Sequence, residues 1–459
     1  MKEFSFKNKS VKKIADTITP IGVYLNIRDV YADTVLLESS EYQHQENSRS
    51  FICFDPLITI KVKDKTLFVF YKNELIFKEI VNTNLASILQ EIISKITVEN
   101  NPYAGFYGHF NYDAVTYFET IELTNTKNEL DEVPDVHLKF YRFNVIFNHF
   151  HQQLELYENS IDETFQLDAV SSKVFSIKEK NYAFKTVEKE CASIADEAFI
   201  KLAEKAIEHT QMGNVFQLVL SNRFYQKFQG DELYVYRALR SINPSPYLFY
   251  FDFGSYKLMG SSPEAQLVVK NNMAEIHPIA GTYKRTGNDK KDLELAQQLL
   301  KDEKETAEHN MLVDLARNDL SKYCNEVFVD TFKSIQLFSH VIHIVSKVKG
   351  RIKGSALAVF GASFPAGTLT GAPKYKAMQL IDKYEKNNRS FYGGAVGYLG
   401  LNNEINMAIT IRAILSIKNT LIYQAGAGIV NRSQPKNEQE EIKNKTNALR
   451  QAIKNAEKL

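Results

Sequence analysis

The sequence predicts an α+β fold, a large mixed α/β sandwich of mostly antiparallel sheets with helices. Short runs of β-branched and aromatic residues recur through the first 160 residues, and such runs are typical of strands. The second half mixes strand runs with amphipathic helical stretches. The length of 459 residues is enough for two or more domains.

The first half reads as strands around one helix. The predicted strands are 23–28, 34–39, 49–54, 58–62, 66–71, 138–148 and 151–159, and the predicted helix is 85–96. Residues 161–190 are polar and charged, which favours a connection between an N-terminal β-rich region at 1–160 and a second region at 191–459.

In the second region, 191–459, predicted helices and strands follow one another in a less regular order. A helix is predicted to end at Gly213, and a hairpin-like segment at 256–270 is predicted to turn at Ser261–Pro263. The remaining predicted strands are 216–224, 274–282, 341–352, 391–401, 406–417 and 420–430, and the remaining helices are 302–320, the end of 362–385, and 435–457.

Composition excludes several classes of protein. A net charge of +1 gives no electrostatic reason to expect nucleic acid or an anionic membrane as partner. No apolar run is long enough for a membrane span, and the N-terminus lacks the apolar run of a signal peptide. Cys53, Cys191 and Cys324 stand far apart, so we expect reduced, buried thiols in a cytoplasmic protein.

The helix at 302–320 carries the first candidate for chemistry. Asp302 is a predicted N-cap, and Glu305 completes a capping-box pattern. Glu308 lies one turn before Leu312, at the edge of the apolar stripe. A carboxylate in that position is either solvated, as most helical glutamates are, or meets a positive group such as a hard divalent cation.

The closing helix and the preceding strand form a second candidate. Glu438, Glu441 and Lys445 share one helix face, as an intrahelical ion pair or as a carboxylate and an ammonium aimed at one ligand. Gly426 and Gly428 open the backbone of their strand either to an anion or to a neighbouring strand.

Isolated polar residues in apolar strands complete the candidates. Arg412 is predicted in mid-strand, where its partner is either a structural carboxylate or a bound one held by a bidentate grip. Gln217 faces away from its apolar neighbours, and His343 is either a core histidine or functional. Glu264 follows a Ser-Ser-Pro turn, as a cap or a general acid. The Gly-rich loop 361–373 is no Walker P-loop.

In combination these stretches resemble the chorismate-utilising enzymes, and among them the large (synthase) components of anthranilate synthases. The resemblance covers essentially the whole chain and is strongest from Phe216 to Leu449. It is carried by SSPE (261–264), HPIAGT (277–282), AEHNMLVDLARNDL (307–320), SHVIHIVSKVKG (339–350), FPAGTLTGAPK (364–374), YGGAVGY (392–398), ITIRA (409–413), AGAGIV (425–430) and the closing ExxExxxK (438–445).

The resemblance implies a fold, a reaction and site residues. It implies the chorismate-utilising enzyme fold, with 191–459 as the catalytic region, and conversion of chorismate and ammonia to anthranilate and pyruvate, the first committed step of tryptophan biosynthesis. Glu308 and Glu441 would hold Mg²⁺, with Glu438 in support. Glu264, His343 and Thr368 would be catalytic. The implied substrate contacts are Gln217, Gly281, Thr282, Tyr392, Arg412, Gly426, Ala427, Gly428 and Lys445.

Two positions discriminate within the family. Isochorismate and salicylate synthases carry a water-activating Lys where Gln217 stands, so the resemblance favours ammonia as the nucleophile. Typical aminodeoxychorismate synthases carry a Lys where Ala280 stands, and PIAGT fits the anthranilate pattern. Aminodeoxychorismate synthase of the folate branch remains the alternative, since some of its members lack this Lys. A non-enzymatic binding module would be expected to have lost several of the implied catalytic residues.

The resemblance also implies a partner and a regulator. The chain has no Gly-x-Cys-x-Gly nucleophile elbow, so a separate glutamine amidotransferase subunit would supply ammonia. Ser39 in LLES and Pro246, Tyr247 and Leu248 in NPSPYL resemble a tryptophan site, which assigns the regulatory motif to the β-rich region and implies feedback inhibition.

Overall fold

A computed structural model describes residues 1–39, 48–125, 130, 132–176, 182–337 and 341–459 of the chain, with only the backbone at Thr282. The helices described are α1 Pro20–Arg28, α2 Leu85–Ser94, α3 Leu167–Val174, α4 Asp196–Gln211, α5 Leu233–Ile242, α6 Asp289–Lys301, α7 Glu303–Ser321, α8 Ala356–Ser363, α9 Gly367–Thr370, α10 Lys374–Tyr384 and α11 Pro435–Ala456, with a 3₁₀ helix at Tyr112–Tyr117. None of these helices is long and apolar enough to cross a membrane.

The strands described are β1 Phe4–Ile14, β2 Val35–Glu38, β3 Arg49–Lys63, β4 Thr66–Tyr71, β5 Glu74–Ile80, β6 Ile96–Val98, β7 Gly105–Phe110, β8 Val136–Asn148, β9 Gln153–Ser160, β10 Phe184–Thr186, β11 Cys191–Ala192, β12 Gln217–Gly230, β13 Tyr247–Asp252, β14 Tyr256–Ser262, β15 Ala265–Lys270, β16 Met273–Ile276, β17 Ile279–Lys284, β18 Cys324–Leu337, β19 Val341–Ile352, β20 Gly371–Ala372, β21 Ala395–Gly400, β22 Ile405–Ile409, β23 Ala413–Ile417 and β24 Thr420–Val430.

The strands form two antiparallel arms that meet at β8. One arm runs β8–β3–β2–β13–β14–β23–β24–β12, and the other runs β8–β7–β21–β22–β15–β16–β19, with β17 and β18 also pairing with β19. Among the described strands only β1 and β6 pair in parallel. The predicted class, mixed α+β with antiparallel sheets, is therefore confirmed.

Apolar side chains divide into layers, because successive residues of a strand point to opposite faces. On β13, Phe249 and Phe251 join a cluster that contains residues of both arms, whereas Leu248 is buried and Tyr250 packs among helices α1, α4, α5 and α11. A third cluster packs α2, α7 and α8 against the other arm. The two arms thus face each other across an apolar layer, and helices cover their outer faces.

Four sequence predictions need correction. Residues 23–28 lie in α1 and not in a strand, because Thr19 caps this helix and Pro20 starts it. The segment 256–270 is not a hairpin, since β14 pairs with β13 and β23 while β15 pairs with β16 and β22. The predicted strand 406–417 is broken into β22 and β23. Cys191 is exposed and not buried. The boundaries at 160 and 190 stay a prediction.

Tyr256, a buried tyrosine on β14 of the first arm, links a histidine on β7 and a histidine on β8. Tyr256 Oη lies 2.8 Å from His109 Nε2 and 2.7 Å from His137 Nδ1. Burial lowers the pKa of His109 to about 3 and that of His137 well below its usual value, so both rings are neutral. The hydroxyl donates one hydrogen bond and accepts the other.

We expect Tyr256→Phe to lower the free energy of unfolding by about 1–3 kcal/mol, because both buried imidazoles lose a hydrogen-bond partner. Urea unfolding followed by circular dichroism measures this change. Tyr250→Phe is the matched control: the Tyr250 hydroxyl is also buried but has no hydrogen-bond partner among the described residues, so its removal should cost little. Equal losses in the two variants would contradict the shared-hydroxyl argument.

Candidate active site

The candidate site lies where the chain passes from one arm to the other. Glu264 stands between β14 and β15, and Arg412 stands between β22 and β23. The two crossings are hydrogen-bonded side by side: Ser261 N–H donates to Arg412 O at 3.1 Å, and Ile409 N–H donates to Glu264 O at 3.0 Å. The fold thereby places the backbones of Glu264, a carboxylic acid, and Arg412, a cation, close together at the edge of the apolar layer.

Glu264 has the environment of a protonated carboxylic acid. Burial raises its pKa to about 8, opposed by a hydrogen bond from Thr368 Oγ1, 3.1 Å away, and by the charge of Lys445. Thr368 lies in the short helix α9, within the predicted Gly-rich loop. The Glu264 carboxyl is therefore protonated at neutral pH and can donate its proton, and it ionises only as the pH rises through about 8.

Arg412 departs from the predicted mid-strand position. Its backbone has φ +49°, and this left-handed conformation ends the pairing of β22 and starts β23. Burial lowers the pKa of its guanidinium, opposed by nearby Tyr392 and Glu441. No carboxylate of the described residues lies within ion-pair distance of it. A desolvated guanidinium in a strained backbone favours the bound-carboxylate alternative over a structural one.

His343 faces a backbone carbonyl that sets its tautomer. Its Nδ1 lies 2.9 Å from Gly281 O, and because a carbonyl only accepts, Nδ1 carries the proton and Nε2 the lone pair. Burial lowers the ring's pKa. Gly281 is the bulged residue of β17, with φ +71°, and Thr282 pairs with His343 across the ladder. Nothing further is described of the Thr282 side chain.

Strands β12 and β24 form one wall. Their register places Val219 opposite Gly428 and Ser221 opposite Gly426. A Cβ on Gly428 would lie 2.7 Å from Gln217 Nε2, and one on Gly426 would lie 2.9 Å from Tyr392 Oη. The glycines therefore leave room only for these two side chains and a ligand that contacts backbone.

Ala427 faces the opposite side of β24. Its side chain is fully buried in the apolar cluster beneath α4 and α11, so it can contact a ligand only through its backbone. Tyr392 lies in the turn before β21. Burial raises the pKa of its hydroxyl. The backbone N–H of Gly426 donates a hydrogen bond to this hydroxyl and partly opposes that rise.

The three predicted metal ligands lie on two helices. Glu308 is on α7 and accepts a hydrogen bond from Gln217 Nε2 at 2.8 Å. Glu438 and Glu441 are in the first turns of α11, where Glu441 Oε1 lies 2.5 Å from Lys445 Nζ, and Lys445 also donates to Gly426 O at 2.9 Å.

Their charges repel one another. Burial is the main cause of the raised pKa values of Glu308 and Glu438, and the charge of Glu441 raises both further. Within the described ranges no three carboxylate, imidazole or thiol groups stand close enough to form a metal cluster. The chemistry of the donor set nevertheless fits Mg²⁺, because all three ligands are hard carboxylate oxygens whose repulsion a divalent cation would relieve.

The predicted regulatory residues fall into two groups. Ser39 and Leu248 line a cavity of about 260 Å³ on the outer side of β2 and β13, together with Glu38, Arg240 and His149. Pro246 and Tyr247 are near in sequence but do not line it. Glu38 accepts from Tyr236 Oη at 2.7 Å and pairs with Arg240 Nε at 2.9 Å. The cavity offers both an acidic and a basic group to a ligand.

Sequence reasoning missed a buried ion pair behind the wall. Arg389, 1% exposed, binds Glu385 through two nitrogens and donates to Leu369 O and Val219 O. Its guanidinium also lies 5.7 Å from the ring of Tyr392. The pair joins the end of α10 to α9 and β12, and so holds the helix that carries Thr368. The i, i+4 spacing of Glu385 and Arg389 was the only sequence signal.

The chain belongs to the chorismate-binding enzymes: the profile of that family matches residues 33–451. Its curated relatives include anthranilate synthase component 1 of Aquifex aeolicus, 35% identical over 97% of this chain and 94% of that one, and the same component of Bacillus subtilis, 37% identical over 96% and 91%.

Solved structures agree with this membership. The crystal structure of anthranilate synthase component I from Streptococcus pneumoniae superposes with a TM-score of 0.75 at 30% identity, covering 95% of this chain and 98% of that one. The Escherichia coli menaquinone-specific isochorismate synthase MenF superposes equally well, with a TM-score of 0.75 over 99% and 96%, but at 18% identity. That second likeness shows the shared fold alone.

Proposed function

We propose that this chain is the synthase component of an anthranilate synthase, converting chorismate and ammonia to anthranilate and pyruvate. The observation that carries the proposal is the pair at the two adjacent strand crossings: a carboxyl with a pKa of about 8, and a partly buried guanidinium that has no carboxylate partner among the described residues. Such a pair can bind an anionic substrate and protonate a leaving hydroxyl in the same place. Relatives named anthranilate synthase support the choice of reaction.

Binding is assigned to the groups that face the site. Arg412 holds a substrate carboxylate through its two-pronged guanidinium, and Tyr392, Lys445 and the backbone of Gly281–Thr282 and of residues 426–428 are assigned to the rest of the substrate. Glu308 and Glu441 would hold Mg²⁺, with Glu438 in support. When bound, Mg²⁺ supplies positive charge that neutralises the ring carboxylate and favours addition to the ring. Loss of Mg²⁺-dependent thermal stabilisation in a Glu441→Gln variant would test this assignment.

The proposal includes two proton transfers. Glu264, oriented by Thr368, donates its proton to the hydroxyl that leaves the ring as ammonia adds. His343 then accepts a ring proton at Nε2 as pyruvate departs, because Nδ1 is committed to Gly281 O. Gln217 carries no basic group to activate water; its amide instead donates to Glu308. This contact favours ammonia as the nucleophile.

A partner and a regulator belong to the same proposal. A glutamine amidotransferase subunit supplies ammonia, and adding one with glutamine should replace ammonium in the assay. Tryptophan binds in the cavity beside Ser39, Glu38 and Leu248 and stabilises a less active arrangement. Titration of tryptophan at subsaturating chorismate tests this, and an unchanged rate would contradict it.

The first experiment identifies the product. Purified chain is incubated with chorismate, Mg²⁺ and ammonium at alkaline pH, and the products are followed by anthranilate fluorescence and mass spectrometry. Anthranilate with pyruvate is expected. Aminodeoxychorismate without pyruvate would assign the chain to the folate branch and show that Ala280 is not diagnostic. Isochorismate formed without ammonium would contradict the argument from Gln217.

A further inference from the structure

A small cavity lies behind Glu264, on the side of α7 and α8. Its volume is about 30 Å³, which exceeds the roughly 10–15 Å³ that a cavity needs to hold one water molecule. Its polar lining comes from Glu264, Gln266, Asp319, Ser363 and Thr368, and Leu312, Leu315 and Ala316 are among its apolar lining. Glu264 and Thr368 thus face both the candidate active site and this cavity.

Gln266 is aimed at the cavity by an irregularity in β15. Opposite β22, Ala265 pairs with Ala408 and Leu267 with Met407, so Gln266 is the extra residue of a bulge. Bulges re-aim a side chain. Gln266 is 2% exposed; its Nε2 donates to Ser363 O at 3.2 Å, but its Oε1 accepts no hydrogen bond from the described residues. A buried amide oxygen needs a donor, and a water in this cavity would be one.

A buried ion pair closes the far end of the cavity. Lys374 Nζ lies 2.7 Å from Asp319 Oδ2 and donates to Ser363 O at 2.9 Å, the same carbonyl that Gln266 uses. Lys374 is the first residue of α10, an end where the helix dipole disfavours a cation. Burial raises the pKa of Asp319, opposed by Lys374 and Lys322. Asp319 and Glu264 therefore line the same cavity, with the unpartnered Oε1 of Gln266 as a third polar group of its lining.

We propose that the cavity holds one water bound by Gln266 Oε1, and that this water carries a proton from Asp319 to Glu264 between turnovers. The inference rests on the proposed role of Glu264 as the general acid. Asp319 and Gln266 contact no substrate and act through Glu264. Thr368 and Lys445 are the other groups acting on Glu264, and both favour its ionised form, so the acid must regain its proton against these two groups after each turnover.

Protons balance over the cycle. The bond between the ring and its hydroxyl breaks, and the hydroxyl leaves as water with the proton of Glu264. The new bond from nitrogen to the ring creates an ammonium group, which releases one proton to solvent. Glu264 takes a proton from the cavity water, the water takes one from Asp319, and Asp319 takes one from solvent. The amination step thus releases one proton and takes up one. The ring proton that His343 accepts in the second step passes to the methylene carbon of the departing enolpyruvyl group, which becomes the methyl group of pyruvate, so that step is balanced as well.

The test compares the first turnover with later ones in Gln266→Leu, which keeps a side chain of similar size but removes the acceptor. Rapid-quench measurement should show a first turnover within about twofold of wild type, since Glu264 starts protonated. Later turnovers should be roughly 100-fold slower, at the lower end of the range for losing a positioned proton donor. KM for chorismate should fall together with kcat, so that kcat/KM stays near the wild-type value, because the slow step follows the departure of the hydroxyl. Asp319→Asn should show the same burst, that is, a first turnover at the wild-type rate followed by slower ones. This variant keeps the proposal testable if the leucine variant does not fold.

Ser363→Ala is the matched control, because it keeps the carbonyl that Lys374 and Gln266 share and should show no burst. A crystal structure fine enough to resolve waters should show one at Gln266 Oε1 in wild type and none in the leucine variant. Equal slowing of first and later turnovers, or no slowing, would overturn the relay. The burst reports departure of the hydroxyl whatever the product, so a product other than anthranilate would contradict the proposed function without deciding the relay.

Discussion

Glu264→Gln is expected to lower kcat by roughly 10²- to 10⁴-fold, the usual contribution of a positioned general acid. The amide keeps the size and the hydrogen-bond acceptor of the side chain but has no proton to give to the leaving hydroxyl. KM for chorismate should change little, because binding is assigned to Arg412 and its neighbours. Steady-state anthranilate formation with saturating ammonium measures both constants.

Glu275→Gln is a suitable control, because this glutamate lies on β16 and pairs with His277, Lys347 and Lys349, away from the crossings. It should keep kcat within about twofold, as is usual for residues outside a catalytic site. A Glu264→Gln variant with near-normal kcat would show that the hydroxyl leaves without this acid.

The pH dependence of wild type should follow the same group. An acid with a pKa of about 8 is protonated below that pH. When the concentration of unprotonated ammonia is held constant, kcat should therefore be highest below pH 8 and fall as the pH rises through about 8. The Thr368 hydroxyl stabilises the ionised form, so Thr368→Val should move this fall to higher pH. A shift to lower pH would contradict the assigned hydrogen bond.

Much of the fold could be predicted because local signals were strong. The helix predicted at 302–320 is observed at Glu303–Ser321, and Asp302 caps it through hydrogen bonds from Lys304 and Glu305 N–H groups. Half of the capping box is absent, since the Asp302 N–H donates to Leu299 O. The closing helix, predicted at 435–457, is observed at Pro435–Ala456. In both cases capping and periodicity agree with tertiary packing.

Predictions failed where tertiary structure decided against local preference. The β-branched and aromatic residues of 23–28 suit a strand, but Val23, Tyr24 and Ile27 pack one helical face into the core beneath β3 and β13. The sequence predicts a hairpin at Glu264 and a continuous strand at Arg412, whereas in the structure the strands on either side of each residue pair with different arms. No local sequence pattern distinguishes a strand that changes its pairing partner from one that keeps it.

The residue types of the candidate site could be predicted from the sequence, but the contacts between their side chains could not. The motifs singled out Glu264, Arg412, His343 and the carboxylates, and the fold brings them to the same end of the sandwich. Single-sequence patterns carry no pairing information over long separations, so the bulge at Gln266 and the contact between Asp319 and Lys374 emerged only from the structure.

Arg412→Gln is expected to lower kcat/KM roughly 10²- to 10⁴-fold, since each hydrogen bond to a charged group contributes about 1.5–3 kcal/mol and the guanidinium makes two to one carboxylate. Arg412→Lys keeps the charge but not the fork, and should recover only part of the loss. Both variants keep a side chain at φ +49°, so backbone strain is the same in the two and in wild type.

Stability should move in the opposite direction to activity. The glutamine variant removes a desolvated charge that has no carboxylate partner among the described residues, so its free energy of unfolding should equal or exceed that of wild type. Urea unfolding without ligand measures this, and chorismate kinetics on the same preparations measure the loss of activity. A large loss of stability would mean that Arg412 is a structural residue, and the assignment of a substrate carboxylate to it would be wrong.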